Sequence, residues 1–425
     1  MKRNLLRAAL VALLPFCAAS LTVATMPAYA AEKAEPPKVS KSINKFMAEA
    51  KKANDAKDWQ TVITNCEAAQ KVSDLTDYDN YLINRFLGVA YFGVNDHVKA
   101  KNAFLAVIKN PATPEEDRKY LITPAIELAA QTKDDAGVVE IGKLAVQDNI
   151  ANPEVFATMA IAYYQQADYD NTVAAAQKGI DMSNAEGKIP QYSLYQVLAF
   201  SDDHLKKRAD ELKAFELMAR DYGNPDDWRY TLDLSLEQLP SKDNYAREIA
   251  ALDIYRLRMI VNASWDATNY VEMADVATVI RSWGDAQVAL NAGLAKGILT
   301  QAKVAARLAQ VNADARKDEP SLSTAEKLAK SGKEAVGIAE AYYGYGNYAA
   351  AARVAQKAIG MGGMYATEAR LVLGMSQVRM GDEAAAAQTL TNVTGDPALV
   401  RASQLWNLYL QRKTAKEPAP APAAK

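Results

Sequence analysis

Residues 88–104 read GVAYFGVNDHVKAKNAF, and their spacing decides the fold. Gly88, Tyr91, Ala100 and Phe104 stand at offsets 0, 3, 12 and 16. The same places hold Ala160, Tyr163, Thr172 and Ala176, then Ala339, Tyr342, Ala351 and Ala355, then Gly374, Gln377, Ala386 and Leu390. Fainter copies put Ala50, Ala53, Val62 and Cys66 near the start, Ile126, Ala129, Val138 and Gly142 further on, and Ala277, Ile280, Ala289 and Gly293 later. Residues three apart share one face of a helix. The small residue there admits a neighbouring helix, and the aromatic fills the space beside it. A turn follows, Gly93-Val94-Asn95-Asp96 in one copy and Tyr345-Gly346-Asn347-Tyr348 in another. The second helix then returns with Ala100 or Ala351 against the first. One hairpin cannot bury its apolar side alone; stacked hairpins bury it together.

This spacing resembles the tetratricopeptide repeat, a helix–turn–helix unit of 34 residues. Ala160 follows Ile126 by 34 residues and Gly374 follows Ala339 by 35, whereas Gly88 follows Ala50 by 38. The resemblance covers about two thirds of the chain beyond its first thirty residues. It implies an all-α solenoid of antiparallel hairpins wound as one right-handed array, with two lobes around a non-repeat centre as the alternative. It also implies that the first helix of each hairpin lines a concave surface. The residues after the small position and after the aromatic then point toward that surface: Val89 and Phe92, Ile161 and Tyr164, Glu340 and Tyr343. Aromatics are doubled at Tyr91-Phe92, Tyr163-Tyr164 and Tyr342-Tyr343. The first ring packs within its hairpin, and the second is turned about 100° away by the helical period. A stripe of Phe92, Tyr164 and Tyr343 is suited to gripping an apolar peptide. The competing reading packs these second rings against long central helices.

The rest of the chain divides by composition and register. Residues 1–30 read as a cleavable leader: Lys2, Arg3 and Arg7 precede an apolar run from Ala8 to Ala19, and Ala28-Tyr29-Ala30 presents small residues for cleavage before Ala31. Residues 31–41 are a charged, Pro-containing lead-in. Repeats occupy 42–182 and 261–410. Between them, 183–260 departs from the register and carries long amphipathic helices at 205–220 and 245–260. Residues 298–335 read as two helical parts separated by a turn at Lys317-Asp318-Glu319-Pro320. A Pro/Ala-rich tail fills 411–425.

The leader places the protein in the bacterial periplasm, or outside the cell as the alternative. Lipidation at Cys17 fits poorly, because bulky Phe16 precedes it. Removing three basic and no acidic residues from 49 and 51 leaves 46 against 51, a net charge of −5. That balance gives nucleic acid no electrostatic footing. No later run reaches eighteen apolar residues, so no membrane span is expected after the leader. Cys66 alone remains, which excludes an intrachain disulfide, and its apolar neighbours read as a buried helix face.

No residue set carries chemistry. His97 and His204, the only histidines, have no companion at metal-ligand spacing. Asp202-Asp203-His204 reads as a polar connection, and no phosphate-gripping or nucleophile motif is present. No metal, cofactor or enzymatic activity is expected. The sequence therefore points to an exported scaffold that binds a peptide or protein partner. A structural subunit of an envelope assembly, docked or self-associated through an outer apolar face, is the alternative. A hydrolase or sugar-binding protein ranks below both.

Overall fold

The computed structural model describes residues 38–240 and 244–414, so the leader, most of the lead-in and most of the tail lie outside the described residues. Every regular element among the described residues is a helix. The chain divides between Lys207 and Arg208 into two compact units, inside the 183–260 segment rather than at either of its ends. Unit 1 holds α1 Asn44–Asp55, α2 Trp59–Gln70, α3 Asp77–Gly93, α4 His97–Lys109, α5 Glu115–Gln131, α6 Asp135–Gln147, α7 Pro153–Gln165, α8 Tyr169–Ala185 and α9 Tyr192–His204. Unit 2 holds α10 Arg208–Asp221, α11 Pro225–Glu237, α12 Asn244–Ile260, α13 Ala267–Val279, α14 Trp283–Ala295, α15 Gln301–Leu328, α16 Gly332–Gly344, α17 Tyr348–Met361, α18 Ala366–Met380, α19 Glu383–Thr391 and α20 Pro397–Thr414. Successive helices pack as hairpins, a helix-only architecture consistent with a helical-repeat solenoid.

One turn makes the hairpins. It closes α1, α3, α5, α7, α9, α13, α16 and α18. In each, a residue with positive φ follows the helix (Lys57, Asn95, Lys133, Ala167, Lys206, Arg281, Gly346, Gly381). The next N–H then donates back to the carbonyl five residues earlier: Asp96 to Tyr91 at 2.9 Å, Asp168 to Tyr163 at 2.9 Å, Asn347 to Tyr342 at 2.9 Å. This is the Schellman pattern, which satisfies a helix-end carbonyl. The donor is also the N-cap of the next helix. The carboxylates of Asp58, Asp96, Asp134, Asp168 and Asp382 accept from backbone N–H groups three residues on. The acceptor residue is the offset-3 position of the repeat. By this criterion the copy read at Ala277 is three residues out of register: Ser282 donates to Ala277, and the packed set is Ala274, Ala277, Ala286 and Leu290, all buried.

Offsets 0 and 16 interlock across two of the hairpins. A Cβ on Gly88 would overlap the Phe104 ring, and one on Gly374 would lie 2.6 Å from Leu390. Where offset 16 is alanine, at Ala176 and Ala355, offset 0 is alanine too, at Ala160 and Ala339. At Phe104 and Leu390 a large residue on the second helix is matched by glycine on the first. Ala100 and Ala351 are fully buried between the helices, as the spacing predicts. Two ion pairs join the α3–α4 hairpin to the next, Arg85 Nε to Asp117 at 2.5 Å and Lys101 to Asp134, and Arg118 pairs with Asp148 at 3.0 Å across the α5–α6 hairpin itself.

Unit 2 closes differently. Its α12 is buried on both faces. Ile249, Ile254 and Leu257 join a core with Trp228, Val336 and Trp406. Leu252 and Tyr255 join a second with Tyr270, Met273 and Leu290. The last helix, α20, returns to pack on α10 and α12. The Trp406 indole donates to the Asp253 carbonyl at 3.0 Å.

Three boundaries differ from the sequence reading. The helix expected at 205–220 starts at Arg208, because 205–207 form the turn that closes α9. The 317–320 stretch is not a turn: α15 runs through Pro320. Proline there removes one backbone donor, and the surrounding residues are largely exposed, so water can satisfy the carbonyl it leaves. Residues 411–414, assigned to the tail, continue α20, because Leu410 and its preceding turns are packed.

Gly88→Ala should lower stability by about 1–3 kcal/mol through overpacking. Phe104→Ala should cost about 3–5 kcal/mol. Because one ring causes the overlap, the double variant carrying both Gly88→Ala and Phe104→Ala should lose less than the two singles added together. Urea unfolding of the four proteins measures this coupling, and strict additivity would disprove the interlock.

Candidate interaction surface

The turn that makes each hairpin also fixes the second ring. Five residues separate that ring from the first residue of the following helix, and the turn brings the two side by side. Phe92 stacks on His97, with ring centroids 5.9 Å apart and planes at 15°. Tyr164 meets Tyr169 edge-on at 5.8 Å, and His204 of α9 stacks on Tyr169 at 4.2 Å. His204 also lies 6.4 Å from Tyr164. Both histidines of the chain are therefore in aromatic clasps. His204 ends α9 rather than lying in an open connection, so Asp202 and Asp203 are helical residues. Phe92, Tyr164, Val89 and Ile161 are all half-buried, each showing part of its side chain. The first rings, Tyr91 and Tyr163, are buried, and the Tyr91 hydroxyl donates to Glu67 at 2.8 Å.

In unit 2 the same pair is inverted. Tyr343 meets Tyr348 at 5.1 Å, as the clasp requires, but it is only 5% exposed. Tyr342 is the half-buried ring, and its hydroxyl faces Glu326. Glu340 is 4% exposed. Tyr343 and Glu340 are therefore not part of an accessible stripe. The cause is Arg256 of α12, whose guanidinium covers the Tyr343 ring at 4.4 Å. Its Nη1 donates to Asp253 at 2.7 Å and to Glu340 at 2.6 Å, while Nη2 donates to Asp285 at 2.6 Å. One guanidinium thus serves three carboxylates in the interior. Burial raises the Asp253 carboxyl well above the usual range, and the neighbouring Glu340 adds to this. Burial raises Glu340 as well, against the pull of Arg256. Asp253 Oδ2, Glu340 Oε1 and the Tyr343 hydroxyl have no hydrogen-bond partner. The sequence signal for this node is Asp253 and Arg256, three apart within the apolar helix YAREIAALDIYRLRMI.

Hairpin α5–α6 lies between the two clasped hairpins of unit 1. Glu127 and Asp135 occupy there the offsets held by Val89 and His97 before it and by Ile161 and Tyr169 after it. Both are half-buried, and burial raises both carboxyls, with Asp134 adding its charge against Asp135. Sequence reasoning passes over them because the repeat at Ile126 lacks an aromatic.

Elsewhere, unit 2 has a cleft of about 840 Å³ between α10, α19 and α20, lined by Glu216, Arg401, Gln404, Asn407, Leu408 and Gln411 among others. Arg401 donates to Ser235 at 2.8 Å and pairs with Glu216. Among the described residues no group of three or more His, Cys, Asp and Glu is placed to hold a metal. No helix among them is long and apolar enough to cross a membrane. Burial pushes the Cys66 thiol up to about 12, which leaves it without thiolate reactivity near neutral pH.

No family model and no curated protein matches the chain. Among solved structures it is similar to a chain in the structure of Naa15/Naa10 bound to HypK-THB, at 13% identity and a TM-score of 0.25, over 87% of this chain and 64% of that one. It is also similar to yeast Tom70, at 10% identity and a TM-score of 0.25, over 88% and 96%. At that level neither says more than the helices themselves do.

Asp253 and Glu340 have folded pKa values above their unfolded ones, because burial disfavours the charged forms. Their contribution to stability is fully present below the ordinary carboxylate range, about 4, and is lost as pH rises through the raised folded values. Unit 2 should therefore unfold at lower urea as pH rises above the ordinary carboxylate range, and Asp253→Asn should flatten that trend. Arg256→Met should cost about 3–5 kcal/mol, because it strands buried carboxylates. A variant as stable as the parent would show that the guanidinium is dispensable.

Proposed function

We propose that this protein is a non-catalytic interaction module that holds an extended peptide or protein segment on the first-helix face of unit 1. The observation that supports this most is the pair of aromatic clasps, Phe92–His97 and Tyr164–Tyr169–His204. Each ring is fixed by its turn, yet keeps part of its surface exposed. Rigid, partly exposed aromatics offer contact area at little cost in side-chain entropy, and such rings dominate binding hot spots. The acidic charge balance disfavours nucleic acid. The buried carboxylates of unit 2 are sealed among helices and do not reach a substrate. In this reading the three-ring stripe expected from the sequence reduces to Phe92 and Tyr164 with Val89 and Ile161.

Selection of displayed random peptides on immobilised residues 31–425 tests the reading. Enriched peptides should lose at least about tenfold in affinity for Phe92→Ala/Tyr164→Ala, while the thermal melt moves little. Equal binding to the variant, or no enrichment, would sink it.

We also propose export to the periplasm, supported by the basic start, the apolar run and the Ala28-Tyr29-Ala30 site. The chain produced with its own leader in a Gram-negative host should be recovered with Ala31 first, as read by intact mass. Recovery of the uncleaved chain would refute it.

A further inference from the structure

We infer that folded unit 2 contains a proton-binding site between Asp253 of α12 and Glu340 of α16, and that the bound proton locks these helices onto the Arg256 guanidinium. The site stands apart from the interaction reading and does not depend on it.

The donors of Arg256 carry the argument. A guanidinium has five N–H groups but one positive charge. Arg256 turns a two-nitrogen edge to Asp285: Nη2 donates to Oδ2 at 2.6 Å, and Nε donates to the same oxygen at 3.2 Å. The Ser282 hydroxyl donates there too, at 2.7 Å. That edge alone matches the charge of one carboxylate. The remaining nitrogen, Nη1, serves two more, Asp253 Oδ1 at 2.7 Å and Glu340 Oε2 at 2.6 Å. Two carboxyl groups that share one nitrogen are neighbours, and all four side chains are buried. Fully ionised, the set would hold one positive and three negative charges away from water. A buried charge without compensation takes up a proton instead, and two carboxylates sharing a site favour one proton between them.

The free oxygens mark its place. Asp253 Oδ2 and Glu340 Oε1 are buried without a hydrogen-bond partner, as is the Tyr343 hydroxyl. A proton on either carboxyl oxygen removes one charge and supplies a donor. Burial raises both carboxyls in the sense that holds it.

Nothing else in the surroundings does this work. Among the described residues Arg256 is the one cation paired with either carboxylate. Arg379 of α18 lies over Tyr348 of α17, 4.6 Å from the ring centre. The Trp406 indole of α20 reaches the Asp253 carbonyl and not its carboxyl. Other charged groups on packed helices have their own partners: Asp233 of α11 pairs with Arg258, Glu272 of α13 accepts from the Tyr255 hydroxyl, and Glu326 of α15 pairs with Arg353. Among the described residues no acidic group is placed to hold a metal. The unfolded carboxyls titrate near about 4, so unfolding at neutral pH releases the proton.

Infrared spectra of residues 31–425 near pH 7, compared with those of Asp253→Asn and Glu340→Gln, test the site. Each substitution keeps the shape of a neutral acid. The parent should show the carbonyl stretch of a protonated carboxylic acid, displaced in heavy water, and each variant should lose it. Urea unfolding in weak buffer at the same pH should release about one proton per chain more from the parent than from either variant. Absence of the band from the folded parent overturns the inference without recourse to any variant. A band kept by the variants, or equal proton release, overturns it as well. Circular dichroism checks that each variant folds, and either folded variant suffices for the comparison.

Discussion

The N–H of Asp96 donates to the Tyr91 carbonyl, and the equivalent bond recurs at Asp168, Ser282 and Asn347. Most of the structure depends on this constraint. It ends the first helix, admits one residue at positive φ, and hands the chain to an N-cap that starts the second helix. In two hairpins the crossing that results brings offset 0 against offset 16, where glycine faces Phe104 or Leu390. The same five-residue separation brings each second ring beside the first side chain of the next helix. Packing and surface chemistry in these hairpins thus descend from one local bond pattern.

What surrounds a hairpin then decides what its residues do. Tyr164 and Tyr343 occupy the same offset and make the same contact with a tyrosine five residues on. Tyr164 keeps part of its ring exposed. Tyr343 is covered by Arg256, which α12 carries into the interior with Asp253. A buried cation among carboxylates is costly unless its hydrogen bonds are made, and Arg256 makes them to Asp253, Asp285 and Glu340. The node fixes where α12, α14 and α16 meet. It does so at the expense of the surface that unit 2 would otherwise share with unit 1.

The hairpins were legible in the sequence because their determinants are local. Gly88, Tyr91, Ala100 and Phe104 lie within one turn–helix distance, and their spacing reports one face of each helix. The register of the copy near Ala277 was harder to read. Alanines at 274, 277, 286 and 289 satisfy two frames three residues apart, and only the backbone bond from Ser282 distinguishes them. The burial of Tyr343 and Glu340 was not legible at all, since it depends on Arg256, which is 84 residues from Glu340. In unit 1, Phe92 and Tyr164 each keep part of their surface exposed.

The return of α20 has a kinetic side. Within unit 1, helices touch neighbours along the chain, so order can spread from any hairpin and ends can fray one hairpin at a time. Within unit 2, Trp406 bonds Asp253 across 153 residues and Arg412 bonds Asp221 across 191. Loops of that length must close before those contacts form, which raises contact order and slows folding. During synthesis from the N-terminus, the α12 helix exposes the site that Trp406 will fill until nearly the whole described chain has emerged. The two units therefore differ in how they are made as well as in what they present: one assembles as it is synthesised, and the other waits for its last helix.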